Sequence, residues 1–89
     1  MTFSSRFESC MSTQNLHTPS GIFDTVMSAN GTAAAIQQGI AKLGASTTIS
    51  ELVGAGILSD AFLVVGSVGA AYYAGALVGC AASAAAGSD

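Results

Sequence analysis

The sequence predicts an all-α protein: a flexible polar N-terminal segment, then short helices, then one long helix rich in alanine and glycine. Three observations predict it. Residues 61–88 carry no charge. Along that run small residues recur at every fourth position: Ser67, Ala71, Gly75, Gly79, Ser83 and Gly87. Upstream, Asn30 and Thr48 are helix-capping residues placed ahead of apolar side chains at helical spacing.

Residues 1–20 are rich in Ser and Thr and lack a basic start followed by an apolar core, so they do not read as a secretory signal. Residues 1–19 are expected to be flexible. Ile22, Phe23, Val26 and Met27 have helical spacing, and Ser20 can cap a short amphipathic helix there. Asn30 can cap a helix over Thr32 to Leu43, with Ile36, Ile40 and Leu43 on one side and Gln37, Gln38 and Lys42 on the other. Gly44 is its expected stop. Thr48 and Glu51 form a capping box, which starts a helix carrying Leu52, Val53, Ile57 and Leu58. A break is expected near Ser59–Asp60, giving a hairpin-like arrangement. The chain then divides into residues 1–30, polar with a short amphipathic stretch, and residues 31–89, a small-residue helical region.

As one helix, the uncharged run would reach about 42 Å, against about 30 Å of bilayer hydrocarbon. It is therefore expected to insert in a membrane. Its bulky side chains (Phe62, Leu63, Val64, Val65, Val68, Tyr72, Tyr73, Leu77, Val78) come first, and alanine dominates afterwards. Alanine adds little to insertion, so entry after synthesis in water is plausible.

Composition excludes several functions. Only 8% of the 89 residues are charged, against about 25% in ordinary soluble domains. Two basic residues cannot neutralise a row of phosphates, so no nucleic-acid partner is expected. One His and two distant Cys cannot close a metal site. His17 has no placed partner, no spacing suggests a nucleophile elbow, and Gly54-x-Gly56 lacks the third glycine of a phosphate-binding turn. No catalysis and no cofactor are expected. Without a secretory signal, Cys10 and Cys80 read as free thiols in a reducing cytoplasm.

The small-residue ladder is the strongest pattern. In lipid, helices associate through close van der Waals contact, interhelical hydrogen bonds and lipid entropy, and missing side chains let backbones approach. Gly31, Ala35 and Gly39 make a second row upstream, and Gly66, Ala70 and Ala74 a third. Helices packed this way can close a ring around water. Ser67, Ser83 and the tyrosine hydroxyls would line it. Glu51 and Asp60 are candidate pore-mouth carboxylates favouring cations, or else solvated helix termini.

With Ala71-x-x-x-Gly75-x-x-x-Gly79-x-x-x-Ser83 at its centre, the stretch from Gly31 to Gly87 resembles the small glycine-zipper pore-forming effectors of bacterial type VI secretion. The resemblance implies an antibacterial toxin made in the cytoplasm and exported by a non-Sec route inside a secretion-tube carrier protein. It implies insertion as a homo-oligomer into the lipid bilayer of a rival's inner membrane, passage of small cations, and a membrane immunity protein in the producer. A phage holin and a non-toxic membrane adaptor or assembly subunit are the alternatives, with a soluble helical module as a third class. ATP-synthase c subunits need a mid-span carboxylate and a basic loop, and filamentous-phage coat proteins a basic C-terminal end; this chain has neither. Bacteriocins with double-glycine leaders are closer, although Gly44-Ala45 is only a weak cleavage candidate.

Overall fold

The computed structural model describes residues 2–19 and 21–86. Among the described residues four α-helices follow one another: α1 (Phe3–Thr13), α2 (Val26–Leu43), α3 (Ile49–Gly54) and α4 (Ala70–Ala86). A 3₁₀ turn, Asp60–Val65, lies between α3 and α4. The all-α class is as expected, and the details differ in four places.

First, the N-terminal segment is folded over much of its length. Thr2 caps α1 by accepting from the Ser5 N–H at 3.2 Å. The helix ends on Asn15, whose φ of 60° is the left-handed conformation used after a helix C-terminus. The Asn15 N–H then reaches the Ser12 carbonyl and the Leu16 N–H the Met11 carbonyl, a Schellman closure that turns Leu16 into the core. Phe3, Phe7, Cys10 and Met11 share one side of α1, and that side is what folds it: Phe7 and Met11 are fully buried.

Second, α2 starts earlier than expected. Thr25, not Asn30, is the cap; its hydroxyl accepts from the Ser28 N–H while Ser28 Oγ accepts from the Thr25 N–H. Val26 and Met27 are its first residues, whereas Ile22 and Phe23 lie in the preceding turn. The cap expected at Ser20 lies outside the described residues. Gly44 ends α2 with φ 112°, as expected.

Third, the uncharged run is not one helix. The capping box of Thr48 and Glu51 is present, but α3 ends at Gly54, so Ile57 and Leu58 lie beyond it and the break expected near Ser59–Asp60 comes earlier, over residues 55–59, where Gly56 turns the chain with φ 80°. A second break follows at residues 66–69. There Gly66 has φ 70°, and the carbonyls of Gly66 and Val68 accept from the Ser50 and Ile49 N–H groups at 3.1 and 3.0 Å. The Ala70 N–H returns to the Thr47 carbonyl at 2.8 Å, and Ser50 Oγ donates to Gly66 O at 2.7 Å. The first N–H groups of a helix have no partner within it; here two from α3 are satisfied by the segment that would have continued the long helix. At 17 residues, α4 spans about 26 Å. Among the described residues no helix is long and apolar enough to cross a membrane.

Fourth, the cysteines are not free. Cys10 of α1 and Cys80 of α4 form a disulfide across 70 residues. An 89-residue chain buries a small share of its surface, and such chains commonly need a covalent staple.

The core forms where α4 packs against α2 and α1. Ala70, Tyr73, Ala74, Leu77, Cys80, Ala81 and Ala84 form its buried stripe, and Ala29, Ala33, Ile36 and Gly39 that of α2. All four phenylalanines join one chain of ring contacts, Phe3–Phe7–Phe23–Phe62, with centroids 5.7, 4.9 and 6.1 Å apart.

Candidate functional site

The stripe buried on α4 fixes which residues face outward. Ala71, Tyr72, Gly75, Val78, Gly79 and Ser83 lie on the exposed side. Four of them, Ala71, Gly75, Gly79 and Ser83, are the ladder. It is therefore not the surface this chain uses to pack on itself. A Cβ placed at Gly75 or Gly79 would meet nothing within 4 Å. Ser67 lies in the turn before α4, outside the helical register, and Gly87 lies outside the described residues.

The upstream row divides differently. Gly31 is exposed with open space around it, Ala35 is half-buried, and Gly39 is an internal contact. A Cβ at Gly39 would come within 2.5 Å of Leu52 Cδ2 and 3.2 Å of Ile57 Cδ1. Only a glycine lets α2 approach these side chains so closely. Of the third row, Ala70 and Ala74 are buried in the α4 core stripe and Gly66 makes the turn.

Beside the ladder α1 and α4 leave an open groove of about 390 Å³, lined by Ala71, Tyr72, Gly75 and Gly79 of α4 and by Gln14 near the C-terminus of α1, and bordered by both cysteines. No charged side chain lines it. Of its lining Tyr72 is 57% exposed; elsewhere Val78 of α4 is 44% exposed, and Leu63 and Val64 on the 3₁₀ turn 56% each.

Glu51 is occupied as a cap, its Oε1 accepting from the Thr48 N–H at 2.9 Å and from its hydroxyl at 3.2 Å. Asp60 is exposed at the start of the 3₁₀ turn. Both therefore sit at the opening turns of short helical segments, where a negative charge complements the helix dipole. Among the described residues no group of three or more His, Cys, Asp or Glu could hold a metal ion.

The two tyrosines differ sharply. Tyr72 lies at the groove, whereas Tyr73 is fully buried and its hydroxyl donates to the His17 carbonyl at 2.9 Å. That bond pins the segment after α1 onto α4. Burial pushes the Tyr73 phenol well above its ordinary value. In the unfolded chain a tyrosine ionises near pH ~10. A raised native value means that its contribution to stability is complete below that pH and is lost as pH rises beyond it. Urea unfolding at pH 8 and pH 11 should show this alkaline loss in the wild type. It should be much smaller in Tyr73→Phe, which also loses about 1 kcal/mol at pH 8 with its hydrogen bond.

Sequence reasoning missed the disulfide and the groove beside it. One signal was present: Phe3, Phe7, Cys10 and Met11 have helical spacing, as do Leu77, Cys80, Ala81 and Ala84. Each cysteine thus sits on the apolar side of a helix. No protein-family model, curated protein or solved structure matches this chain.

Proposed function

We propose that the protein is a membrane-active, pore-forming effector whose self-association surface is the outer face of α4. One observation carries this reading: the small residues Ala71, Gly75, Gly79 and Ser83 are spent on a face left exposed among the described residues, while alanines and Leu77 of the opposite face build the core. A chain needing glycine only for its own packing has that need at Gly39, not at Gly75 or Gly79. The exposed Tyr72 and Val78 of α4 suit a lipid-facing or helix-facing surface better than water.

On this reading the fold is the form before insertion. Since α4 alone is short for a bilayer, insertion requires the turn at 66–69 to straighten, so that residues 61–86 join into one span. The Asp60 carboxylate then lies at one mouth and favours cations. The carrier protein, the immunity protein and the rival's inner membrane belong to the same proposal and rest on the resemblance to type VI effectors.

Vesicles of bacterial lipid holding a potassium gradient and a potential-sensitive dye test it. The wild-type protein should collapse the potential, and Gly79→Leu should retain the fold and abolish the collapse. Intact vesicles carrying bound wild-type protein would instead favour the second reading, a non-conducting adaptor that takes one partner helix along the same groove. The closed core and the absence of a spanning helix among the described residues favour that alternative.

A further inference from the structure

We infer that the Cys10–Cys80 disulfide is a thiol-exchange site, opened by a soluble dithiol at Cys10, and that it acts as a latch holding α1 on α4. The inference stands apart from the pore reading, because it concerns only how α1 is held.

Both cysteines border the groove, so the bond is reached from solvent without unfolding. The two sulfurs are not equivalent. Cys10 is half-exposed, whereas Cys80 is 1% exposed on the inner side of α4. Cys10 also lies in the last turn of α1, where the helix dipole disfavours a thiolate. Gln14, one turn on, aims its amide Nε2–H at Cys80 Sγ from 3.3 Å, closer than its 3.9 Å to Cys10 Sγ. An amide donor lowers the cost of negative charge on the sulfur it faces. Exposure, dipole and donor agree: Cys10 is the sulfur attacked and Cys80 the one that leaves.

The step balances as an ordinary exchange. A thiolate of the incoming dithiol attacks Cys10 Sγ and forms a mixed disulfide. The Cys10–Cys80 bond breaks, and its electron pair stays on Cys80 as a thiolate, which takes a proton from solvent. The second thiol of the reagent then attacks the mixed disulfide and releases Cys10. The dithiol is oxidised to its disulfide, and the protein gains two thiols. With the bond gone, α1 loses its covalent tie to α4 and keeps non-covalent ones, among them the burial of Phe7 and Met11 and the Tyr73–His17 hydrogen bond of the segment that follows.

The test uses the oxidised full chain without denaturant. Dithiothreitol should reduce it fully, as followed by alkylation and mass. Glutathione, a monothiol, should give a trapped adduct on Cys10 with Cys80 free to be alkylated. Gln14→Leu, which keeps the bulk and removes the donor, should slow the reduction by about tenfold, the lower end of what one hydrogen bond to a charged group contributes. Gln14→Glu should slow it further at neutral pH. Amide hydrogen exchange after reduction should show protection lost over residues 3–13 and kept in α2 and α4. An adduct on Cys80, a rate that follows global unfolding, or an unchanged rate in both Gln14 variants overturns the exchange site. Undiminished protection of α1 after reduction overturns the latch.

Discussion

The double variant Cys10→Ser/Cys80→Ala should melt at least about 15 °C below the oxidised wild type. The expectation follows from chain entropy. A cross-link spanning 70 residues removes loop-closure freedom from the unfolded chain equivalent to about 4 kcal/mol at 25 °C. In domains of this size each kcal/mol moves the melting midpoint by roughly 4–8 °C. Alanine at position 80 avoids placing a hydroxyl where the side chain is 1% exposed, and serine is acceptable at the half-exposed position 10. Thermal scans by circular dichroism, with and without a phosphine reductant, provide the check. The reduced wild type should melt close to the variant, and the variant should ignore the reductant. A shift of only a few degrees would mean that apolar contacts alone fix α1. The size of the effect sets its functional weight. Total stability for such a domain is of order 5–15 kcal/mol, so the disulfide governs much of the margin between a closed fold and a loosened one. Disulfides persist in oxidising compartments and are rare in a reducing cytoplasm. On the proposed reading, reduction loosens the hold on α1, and the reduced chain is the form expected to insert more readily.

The parts of this fold that were legible in the sequence are those fixed within a few residues. The Thr48–Glu51 capping box is complete in four positions. The stop at Gly44 is equally local. The second break was not legible, because its compensation is distant: the carbonyls of residues 66 and 68 are held by N–H groups of Ser50 and Ile49. Without those partners, residues 61–88 read as one uninterrupted apolar helix. The N-terminal segment misled through composition. Its serines and threonines suggest disorder, whereas α1 is stabilised by four side chains on one side and a bond to residue 80. The ladder was visible as a pattern, but its direction was not. Alanines on both faces of α4 look alike in sequence, and only the positions of α1 and α2 decide that Ala74 and Ala81 go in while Ala71 and Gly75 stay out.

Leucine placed at Gly39 and at Gly79 should move stability in opposite directions. At Gly39 the new Cβ collides with Leu52 Cδ2 and crowds Ile57, so these side chains must shift. Overpacking of this kind costs about 1–3 kcal/mol, only partly offset by the better helix propensity of leucine. At Gly79 the Cβ enters open space. Replacing glycine in an exposed helix interior then gains up to about 0.8 kcal/mol. Urea unfolding of the two variants should therefore bracket the wild type, with Gly39→Leu unfolding at lower urea and Gly79→Leu at higher. A marked loss at Gly79 would mean that the outer face of α4 is covered in the native protein. The same pair separates stability from activity in the vesicle experiment. If the outer face is where copies of the chain meet, Gly79→Leu is a more stable protein that no longer conducts. Gly39→Leu is then a less stable one that conducts at least as well, since an easily opened fold inserts more readily. On that reading two glycines, each from a row of small residues spaced four apart, have opposite physical roles: Gly39 permits the fold, and Gly79 leaves room for a second helix.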